Sequence, residues 1–382
     1  MTTQDQALKV STAAIAVSLF LAINIAIPAS SFLKKDKEAG DTIQRALAGA
    51  VQTLKQARAN KTVALIGSSL VIAPLWSTDV SRGYFHEDCM NHHTSAVLTK
   101  KLGVQGLDAD VVSLATAGQF VSDTYLIVDK YLKTDRKPEI LIYGIAPRDF
   151  MDDTAGGLAL TSVFDQIVGV EDIPQVSSLF FNTFEERIDF VLNRSAYLYR
   201  KRGRYQTKFQ DNCQKLAAKV MGDRKDKIVV SGQNDPLAGF LLGGNRTDIW
   251  AKSIEEYSRR YRYFNAQQFE KQKECFKALV ALCKERDIKL YVLAMPLTND
   301  NRKLMPPQFY ERYISFVKEA TADANVPFMD LQKSAYKDDD FYDTVHLNSA
   351  GGERFLTTVS GLVAGADSSS SLARSKPSSP TY

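Results

Sequence analysis

Residues 62–70 read Thr-Val-Ala-Leu-Ile-Gly-Ser-Ser-Leu, a short apolar run that ends in a glycine and two serines. The apolar run predicts a buried strand, and Gly67 marks its end because glycine commonly punctuates regular structure. Ser69 then follows the carboxyl end of that strand. In open parallel α/β sheets, ligands bind in the crevice beyond the carboxyl ends of the strands. The position of Ser69 therefore predicts a reactive serine at the edge of an α/β sheet.

Four further apolar runs predict the rest of this sheet. They are residues 110–114, 139–145, 288–294 and 327–331, and most are separated by helical patterns. Such alternation is typical of a parallel sheet with helices on both faces. Gly118, Arg148 and Pro296 each follow a predicted strand end. We therefore expect these residues on the same edge of the sheet as Ser69.

A second motif, near the carboxyl terminus, complements the serine. Residues 343–346 read Asp-Thr-Val-His, which places an acid three residues before a histidine. A serine hydroxyl is a weak nucleophile until an imidazole takes its proton, and a carboxylate holds that imidazole in the useful tautomer. Ser69, His346 and Asp343 therefore predict a nucleophile, a general base and an orienting acid for acyl transfer. The alternative is that Ser69 only caps a helix, which serine favours, and that His346 lies in an ordinary loop.

The order of the two motifs resembles that of the SGNH (GDSL-type) hydrolases, in which Gly-Asp-Ser-Leu carries the nucleophile and Asp-x-x-His completes the triad. Here residues 67–70 read Gly-Ser-Ser-Leu, with serine in place of aspartate. This variant is similar to the membrane-anchored, DltD-like branch of cell-envelope acyltransferases. The resemblance covers residues 60–360. It implies a flavodoxin-like three-layer α/β/α fold over residues 61–366.

The resemblance also implies an oxyanion hole. Residues 115–119 (Ala-Thr-Ala-Gly-Gln) match the family's second block, which assigns the backbone N–H groups of Ser69 and Gly118 to that hole. The third block normally adds an asparagine side chain, but residues 143–150 (YGIAPRDF) contain none. Arg148 or Gln119 is therefore expected to assist. The missing asparagine also leaves open a slow enzyme or a catalytically silent protein.

The amino-terminal residues predict a membrane anchor. Residues 10–28 are uncharged and largely apolar, and a single span needs about 20 such residues, with a lower limit near 17. A cleaved signal peptide is the alternative, because Lys9 precedes the apolar core. Lys34, Lys35 and Lys37 follow the span, which by the positive-inside bias favours a cytoplasmic domain. The family resemblance implies the opposite orientation, and we expect a single-pass protein with an extracytoplasmic catalytic domain.

The remaining segments complete the predicted domain organisation. Residues 1–9 are expected to form an N-terminal tail and residues 29–60 a helical stalk, because residues 40–60 carry apolar groups at helical spacing. Residues 151–250 are longer than an ordinary crossover connection between two parallel strands, so they predict a mainly helical insertion. Its basic run, Arg200 to Arg204, fits either anionic lipid headgroups or a solvated helix face. Residues 367–382 are rich in Ser and Pro and predict a disordered tail.

Composition narrows the class of function. A net charge of +4 over 382 residues is mild, so nothing indicates a nucleic-acid partner. The four cysteines contain no Cys-x-x-Cys pair, and His86, His92 and His93 do not form His-Glu-x-x-His. We therefore expect no metal, and no cofactor, because the acyl group would pass through the serine itself. The aromatic residues Tyr257, Tyr261 and Phe264 recur at helical spacing, which fits either core packing or carbohydrate stacking.

These expectations combine into one leading hypothesis. The chain is expected to be a membrane-anchored serine acyltransferase or esterase that acts on an acylated cell-envelope glycan or a lipid-linked polymer. The resemblance also implies contact with membrane lipid and a membrane-bound partner that delivers the acyl group. Transfer and hydrolysis share one triad and differ in the exclusion of water and in an acceptor groove. The alternative from another class is a catalytically silent scaffold in an envelope-modification complex.

Overall fold

The computed structural model describes residues 42–59, 61–84, 88–133, 137–152, 154, 156–196, 245–334 and 336–374, together with residues 15, 18 and 19, and it describes side chains as far as residue 365. Most of the predicted anchor, the tail at residues 1–9 and the basic run at 200–204 lie outside the described residues. Among the helices of the described ranges, none has both the length and the apolar character that a membrane crossing requires. The chain divides into a larger unit, Asp41–Ile167 with Gln233–Tyr382, and a smaller unit, Met1–Gly40 with Val168–Gly232.

A five-stranded parallel sheet lies at the centre of the larger unit. Its strands are β1 (Lys61–Gly67), β2 (Ala109–Ser113), β3 (Ile140–Ile145), β4 (Lys289–Ala294) and β5 (Phe328–Asp330). Their order across the sheet is β2-β1-β3-β4-β5, with every pairing parallel. This is the flavodoxin-like order. The predicted parallel α/β sheet is confirmed, and each predicted strand agrees with the observed one to within a residue at either end.

The described ranges contain helices of five or more residues. They are α1 (Thr42–Gln56), α2 (Ser69–Ser81), α3 (Ala96–Val104), α4 (Val121–Tyr131), α5 (Ser162–Ile167), α6 (Ile173–Phe180), α7 (Phe184–Ser195), α8 (Arg246–Arg260), α9 (Ala266–Glu285), α10 (Asn299–Lys303), α11 (Phe309–Asp323) and α12 (Ser349–Arg374). Short helical turns lie at Cys89–Asn91, Arg148–Met151, Leu158–Leu160, Val170–Asp172, Leu331–Lys333 and Asp338–Asp340.

The helices of the larger unit pack in two groups. Helices α2, α3 and α12 contact one another, while α9 contacts both α4 and α11. Strand β1 is contacted by α2 and by α4. Because β2 and β3 lie on opposite sides of β1, right-handed crossovers place their connecting helices on opposite faces of the sheet. This explains why β3 is buried along its whole length and reads as a continuous apolar run rather than an alternating one.

Helix α1 belongs to the domain and is not a separate stalk. Its inward side chains Ala46, Leu47 and Ala50 are at most 2% exposed. The backbone N–H groups of Arg58 and Ala59, just after the helix, donate to the side chain of Asp110 at the start of β2. The predicted helix is present, but the α/β domain, which was expected to begin after residue 60, already includes the helix that begins at Thr42. An apolar stripe at helical spacing must be buried, and the adjacent sheet edge buries it.

The described parts of the predicted insertion are helical, and residues 197–244 lie outside the described ranges. Residues from Phe184 to Ser195 form α7. Within the smaller unit, the rings of Phe181 and Phe190 lie 5.4 Å apart, so α7 packs against the residue that follows α6. The prediction of a helical insertion is confirmed for these segments.

At the carboxyl terminus, α12 continues past the point where a disordered tail is predicted. Val363 is buried at 2% exposure, and the helical backbone extends to Arg374. The predicted tail at residues 367–382 therefore overlaps the end of this helix, and residues 375–382 lie outside the described ranges.

Candidate active site

Ser69 is the first residue of α2 and directly follows the turn at the end of β1. Gly67 has φ of +147°, and a Cβ there would lie 2.4 Å from the carbonyl oxygen of Gly144. Glycine is therefore required where the chain leaves the strand. The helix cap is Ser68, whose side chain makes no capping hydrogen bond. The alternative that Ser69 serves only as a helix cap is thus wrong.

The structure brings Ser69, His346 and Asp343 together in one hydrogen-bonded chain. His346 Nε2 lies 2.9 Å from Ser69 Oγ. His346 Nδ1 lies 2.7 Å from Asp343 Oδ2. With the ring proton on Nδ1 and shared with the carboxylate, Nε2 accepts the hydrogen bond of the serine hydroxyl. This is the arrangement in which an imidazole can take the proton of an attacking serine.

Asp343 is held as a buried, ionised carboxylate. Its Oδ1 atom accepts backbone N–H groups of Val345 at 2.8 Å and of His346 at 2.7 Å. Burial alone would raise its pKa, but the charge of His346 and these hydrogen bonds outweigh burial, so the pKa lies below its ordinary value. Asp343 is 2% exposed, whereas Ser69 and His346 are 7% and 9% exposed. The orienting acid is therefore enclosed, and the two reacting side chains retain some access.

Thr344, inside the Asp343–His346 turn, is fixed by residues that the motif does not contain. Its Oγ1 lies 2.6 Å from Ser253 Oγ and accepts Asn301 Nδ2 at 3.2 Å. Its carbonyl oxygen accepts both the N–H and the hydroxyl of Thr298, at 3.2 and 2.8 Å. Sequence reasoning did not identify Ser253, Thr298 or Asn301. The nearest signal in the sequence is Pro296, which follows the predicted strand end two residues before Thr298.

Gly118 lies in the loop after β2, next to the end of β1. The N–H of Thr116 donates to the carbonyl of Gly67 at 3.1 Å, which extends the β1–β2 pairing into the loop. Gly118 has φ of +70°, a conformation that L side chains rarely adopt. Its carbonyl accepts the Nη2 group of Arg148 at 2.5 Å. The loop expected to supply an oxyanion donor is thus beside the strand end that carries Ser69.

Arg148 is buried, and all three of its guanidinium nitrogens have contacts. Nη2 donates to Gly118, Nε donates to Asp152 at 3.2 Å, and Nη1 lies 3.7 Å from Asp149 Oδ1. The guanidinium carbon also lies 4.7 Å from the centre of the Phe120 ring. These contacts commit the charge of Arg148 to the Gly118 loop and to two acids. The expectation that Arg148 assists an oxyanion stays a prediction.

Gln119 is also committed within this loop. Its Oε1 accepts the N–H and the hydroxyl of Thr116, both at 3.0 Å, and its Nε2 donates to the hydroxyl of Thr124 at 2.8 Å. The side chain is 1% exposed. Both ends of the amide therefore bind the loop and α4. Gln119 thus shapes the turn that presents Gly118, and its assistance to an oxyanion stays a prediction.

Three buried aspartates surround Arg148 and respond differently to burial. Burial raises the pKa of Asp149 to about 7 and that of Asp123 to about 6. For Asp152, burial is outweighed by the charges of Arg148 and Arg260, so its pKa is lowered. Asp152 is therefore the firm anion of this group. Asp149 is poised to change charge near neutral pH.

His92, a histidine outside the triad, contacts a buried acid that caps a helix. His92 Nε2 lies 2.9 Å from Asp79 Oδ2, and the two oxygens of Asp79 also accept the first backbone N–H groups of α3. His86 and Cys213 lie outside the described ranges. Within those ranges, no group of histidine, cysteine and acidic residues has the arrangement of a metal site. The cysteines described there are buried: Cys89, Cys275 and Cys283.

The aromatic residues after the insertion pack in the core. Tyr257 and Tyr261 are 6% and 2% exposed, and the Tyr261 hydroxyl donates to Asn301 Oδ1 at 3.2 Å. The ring of Phe264 lies 5.6 Å from that of Phe269 and 5.4 Å from that of Phe309. The packing interpretation is confirmed, and carbohydrate stacking on this stripe is wrong.

Solved structures of three esterases are similar to this chain. The acetyl xylan esterase AlAXEase is 11% identical with a TM-score of 0.37, and the match covers 79% of this chain and 99% of that esterase. Axe2, an acetylxylan esterase from Geobacillus stearothermophilus, is 13% identical with a TM-score of 0.35, covering 80% and 94%. The esterase EstA from Pseudoalteromonas sp. is 10% identical with a TM-score of 0.34, covering 79% and 96%. No protein-family model and no curated protein matches the sequence. Similarity at this level assigns no activity, so the functional argument rests on the site itself.

Proposed function

We propose that this chain is a serine esterase or acyltransferase in which Ser69 is the nucleophile, His346 the general base and acid, and Asp343 the orienting carboxylate. The observation that carries the proposal is the hydrogen-bonded chain from Ser69 Oγ through His346 to Asp343, with contacts of 2.9 and 2.7 Å. A buried pair of acid and histidine is common in proteins. A serine at the start of a helix, in contact with that pair at the carboxyl end of a strand, is much more specific.

The chemistry follows from these contacts. The Ser69 hydroxyl attacks the acyl carbonyl and gives its proton to His346 Nε2, while Asp343 stabilises the imidazolium that forms. The leaving alcohol then takes that proton, and the acyl group remains on Ser69 as an ester. A water molecule or an acceptor hydroxyl, deprotonated by the same imidazole, releases the acyl group. No metal or dissociable cofactor enters these steps.

Backbone N–H groups are the proposed stabilisers of the tetrahedral oxyanion. The first N–H groups of a helix have no partner within it, and the helix dipole favours negative charge there. Ser69 begins α2, so its own N–H is suited to this role, together with that of Gly118. Loss of one such donor costs roughly 3–4 kcal/mol of transition-state stabilisation. A hole without the family's asparagine is therefore expected to give a slower enzyme.

The substrate and the location are proposed from the family resemblance and the apolar amino-terminal stretch. We place the protein in the membrane-anchored, DltD-like branch of the SGNH hydrolases, with an extracytoplasmic catalytic domain anchored by residues 10–28. The substrate would be an acylated cell-envelope glycan or a lipid-linked polymer. A membrane-bound partner would deliver the acyl group to Ser69.

Hydrolysis of p-nitrophenyl acetate by the purified full chain in detergent tests the triad. We expect the native protein to hydrolyse this ester, and we expect His346→Ala to lower kcat by about 10³-fold or more, as loss of a triad member does. The folding of both proteins is checked by circular dichroism. Native protein that is folded but no faster than buffer would contradict the proposal and favour the scaffold interpretation.

Transfer and hydrolysis are separated by adding an acceptor to the same reaction. With N-acetylglucosamine oligosaccharides present, an acyltransferase yields O-acetylated sugar, detected by mass spectrometry, and releases p-nitrophenol faster than without acceptor. A hydrolase yields acetate alone at an unchanged rate. The first outcome supports the finer proposal, and the second assigns the chain to the esterases.

A further inference from the structure

Helix α8 carries two inward polar side chains, Ser253 and Arg260. They are seven residues apart, which is about two helical turns, so they lie on one face of the helix. Ser253 is 1% exposed, and the side chain of Arg260 is 26% exposed. Neither residue belongs to a motif that signals catalysis. Their contacts reach the two halves of the candidate active site separately.

The first contact reaches the Asp343–His346 turn. The hydroxyls of Ser253 and Thr344 lie 2.6 Å apart, and the backbone N–H of Thr344 donates to Ser253 Oγ at 3.4 Å. Thr344 is fully buried. Because Thr344 directly follows Asp343, its position fixes the backbone that carries the acid and the histidine. Loss of Ser253 leaves the buried Thr344 hydroxyl with one partner fewer and loosens this turn.

The second contact reaches the Gly118 loop through a relay of charges. Arg260 Nη1 forms an ion pair with Asp152 Oδ2, and the same oxygen accepts Arg148 Nε at 3.2 Å. Arg148 Nη2 then donates to the carbonyl of Gly118 at 2.5 Å. Asp152 thus lies between two guanidinium groups. Its charge holds Arg148 in the orientation that binds the loop.

We propose that Ser253 and Arg260 are positioning residues, and that α8 sets the triad and the oxyanion loop relative to each other. This inference rests on the proposed function. Neither residue contacts Ser69 or His346, so each acts through another residue: Ser253 through Thr344, and Arg260 through Asp152 and Arg148. Such support matters because a displacement of about 1 Å at a reacting centre can cost roughly 100-fold in rate.

Helix α8 supplies its own matched controls. Ser258 and Arg259 lie on the same helix, are exposed, and have the same side chains as the two proposed positioning residues. A purely local effect on the helix, such as a change in helix propensity, would be similar at Ser253 and Ser258, or at Arg260 and Arg259. An effect that appears only at the inward position comes from the contacts to the site.

The experiment compares the kinetics of p-nitrophenyl acetate hydrolysis by the full chain in detergent, for Ser253→Ala, Arg260→Gln, Ser258→Ala and Arg259→Gln. We expect each inward variant to lower kcat by roughly tenfold or more, with KM within about twofold, because the geometry of the transition state is affected and ground-state binding is not. The two exposed variants keep native kcat and KM. Arg260→Lys keeps a positive charge beside Asp152 and is expected to recover part of the lost kcat, whether or not Arg260→Gln remains stable.

The outcomes distinguish this inference from the function on which it rests. Native activity with inward variants that match their exposed controls would overturn the inference and leave the proposed function in place. Inward variants that are folded at the assay temperature but lose activity through KM alone would also overturn it. A folded native chain without any esterase activity would overturn both.

Discussion

The two halves of the candidate active site are held in different ways. In the triad half, Asp343 binds the ring of His346 and the backbone N–H groups of its own turn. In the oxyanion half, the Gly118 loop depends on Arg148, which in turn depends on Asp152 and Arg260. The acid and the histidine of the first half come from one four-residue motif, and Ser69 joins them from elsewhere in the chain. The second is assembled from segments far apart in the chain, so a short motif cannot represent it.

This difference predicts how each half responds to substitution. A change in the triad removes a group that takes part in proton transfer, and the loss is large. A change in the oxyanion half shifts a loop, so the loss of kcat is smaller, but the folded state is also less stable. Substitutions that conserve size and fold therefore separate the two halves most clearly.

The largest effect is expected from Asp343→Asn. The amide can still accept the backbone N–H groups through its oxygen, but it no longer holds Nδ1 of His346 protonated, so kcat for p-nitrophenyl acetate falls by about 10³- to 10⁴-fold. The matched control is Asp340→Asn, three residues earlier, where the carboxylate pairs with Arg354 instead. It is expected to keep kcat within a fewfold of native. A loss below tenfold in Asp343→Asn would remove Asp343 from the triad.

A smaller effect is expected from Gly118→Ala. At φ of +70°, an alanine costs about 1–2 kcal/mol, and the shifted N–H is expected to lower kcat by about 10- to 100-fold. Gly106→Ala is the matched control, because Gly106 has φ of +79° with no atom within 4 Å of the added Cβ. Urea unfolding should show similar losses of stability in both variants, with kcat reduced only in Gly118→Ala. Equal kcat values would show that the Gly118 loop does not stabilise the oxyanion.

The smallest effect concerns stability as a function of pH. Burial raises the pKa of Asp149 from 3.8 to about 7, so the folded chain takes up this proton more readily than the unfolded chain. The resulting stabilisation is fully present below about pH 4 and is lost as pH rises through 7, with a slope on the order of 1 kcal/mol per pH unit. Asp149→Asn should flatten that slope between pH 5 and 7.

Urea unfolding at pH 5, 6, 7 and 8 measures this difference between Asp149→Asn and the native chain. The exposed Asp338 provides the control, since Asp338→Asn should leave the native slope unchanged. An Asp149→Asn profile parallel to the native one would show that Asp149 is already ionised throughout this range. The acids around Arg148 would then be a permanently charged group.

Much of the fold was accessible from the sequence because each strand is a short, continuous apolar run. A strand buried along its whole length, such as β3, has that composition, and all five strands were predicted to within a residue at either end. The apolar face of an amphipathic helix does not show which surface the helix will pack against. Residues 42–56 therefore predicted a helix correctly, while the expected stalk proved to be part of the domain.

The candidate site shows the same contrast between a local pattern and its partners. Ser69, His346 and Asp343 could be proposed from sequence because their chemistry and order are distinctive, and the structure brings them within hydrogen-bonding distance. The partners of Arg148 and Gln119 could not be anticipated, because Asp152, Arg260 and Thr124 are ordinary polar residues until the fold brings them near. A side chain at the expected position can form hydrogen bonds and ion pairs with neighbours that no motif reveals.

The central claim is that Ser69, and not its neighbour Ser68, is an activated nucleophile. Ser68 provides a stringent control, because its hydroxyl is buried and has no hydrogen-bond partner in the described part of the chain. The measurement is fluorophosphonate labelling of the full chain in detergent, with the modified residue located by peptide mass spectrometry. We expect an adduct on Ser69 that persists in Ser68→Ala and is absent from Ser69→Ala and His346→Ala. An adduct on Ser68, or a folded native protein without any adduct, would contradict it.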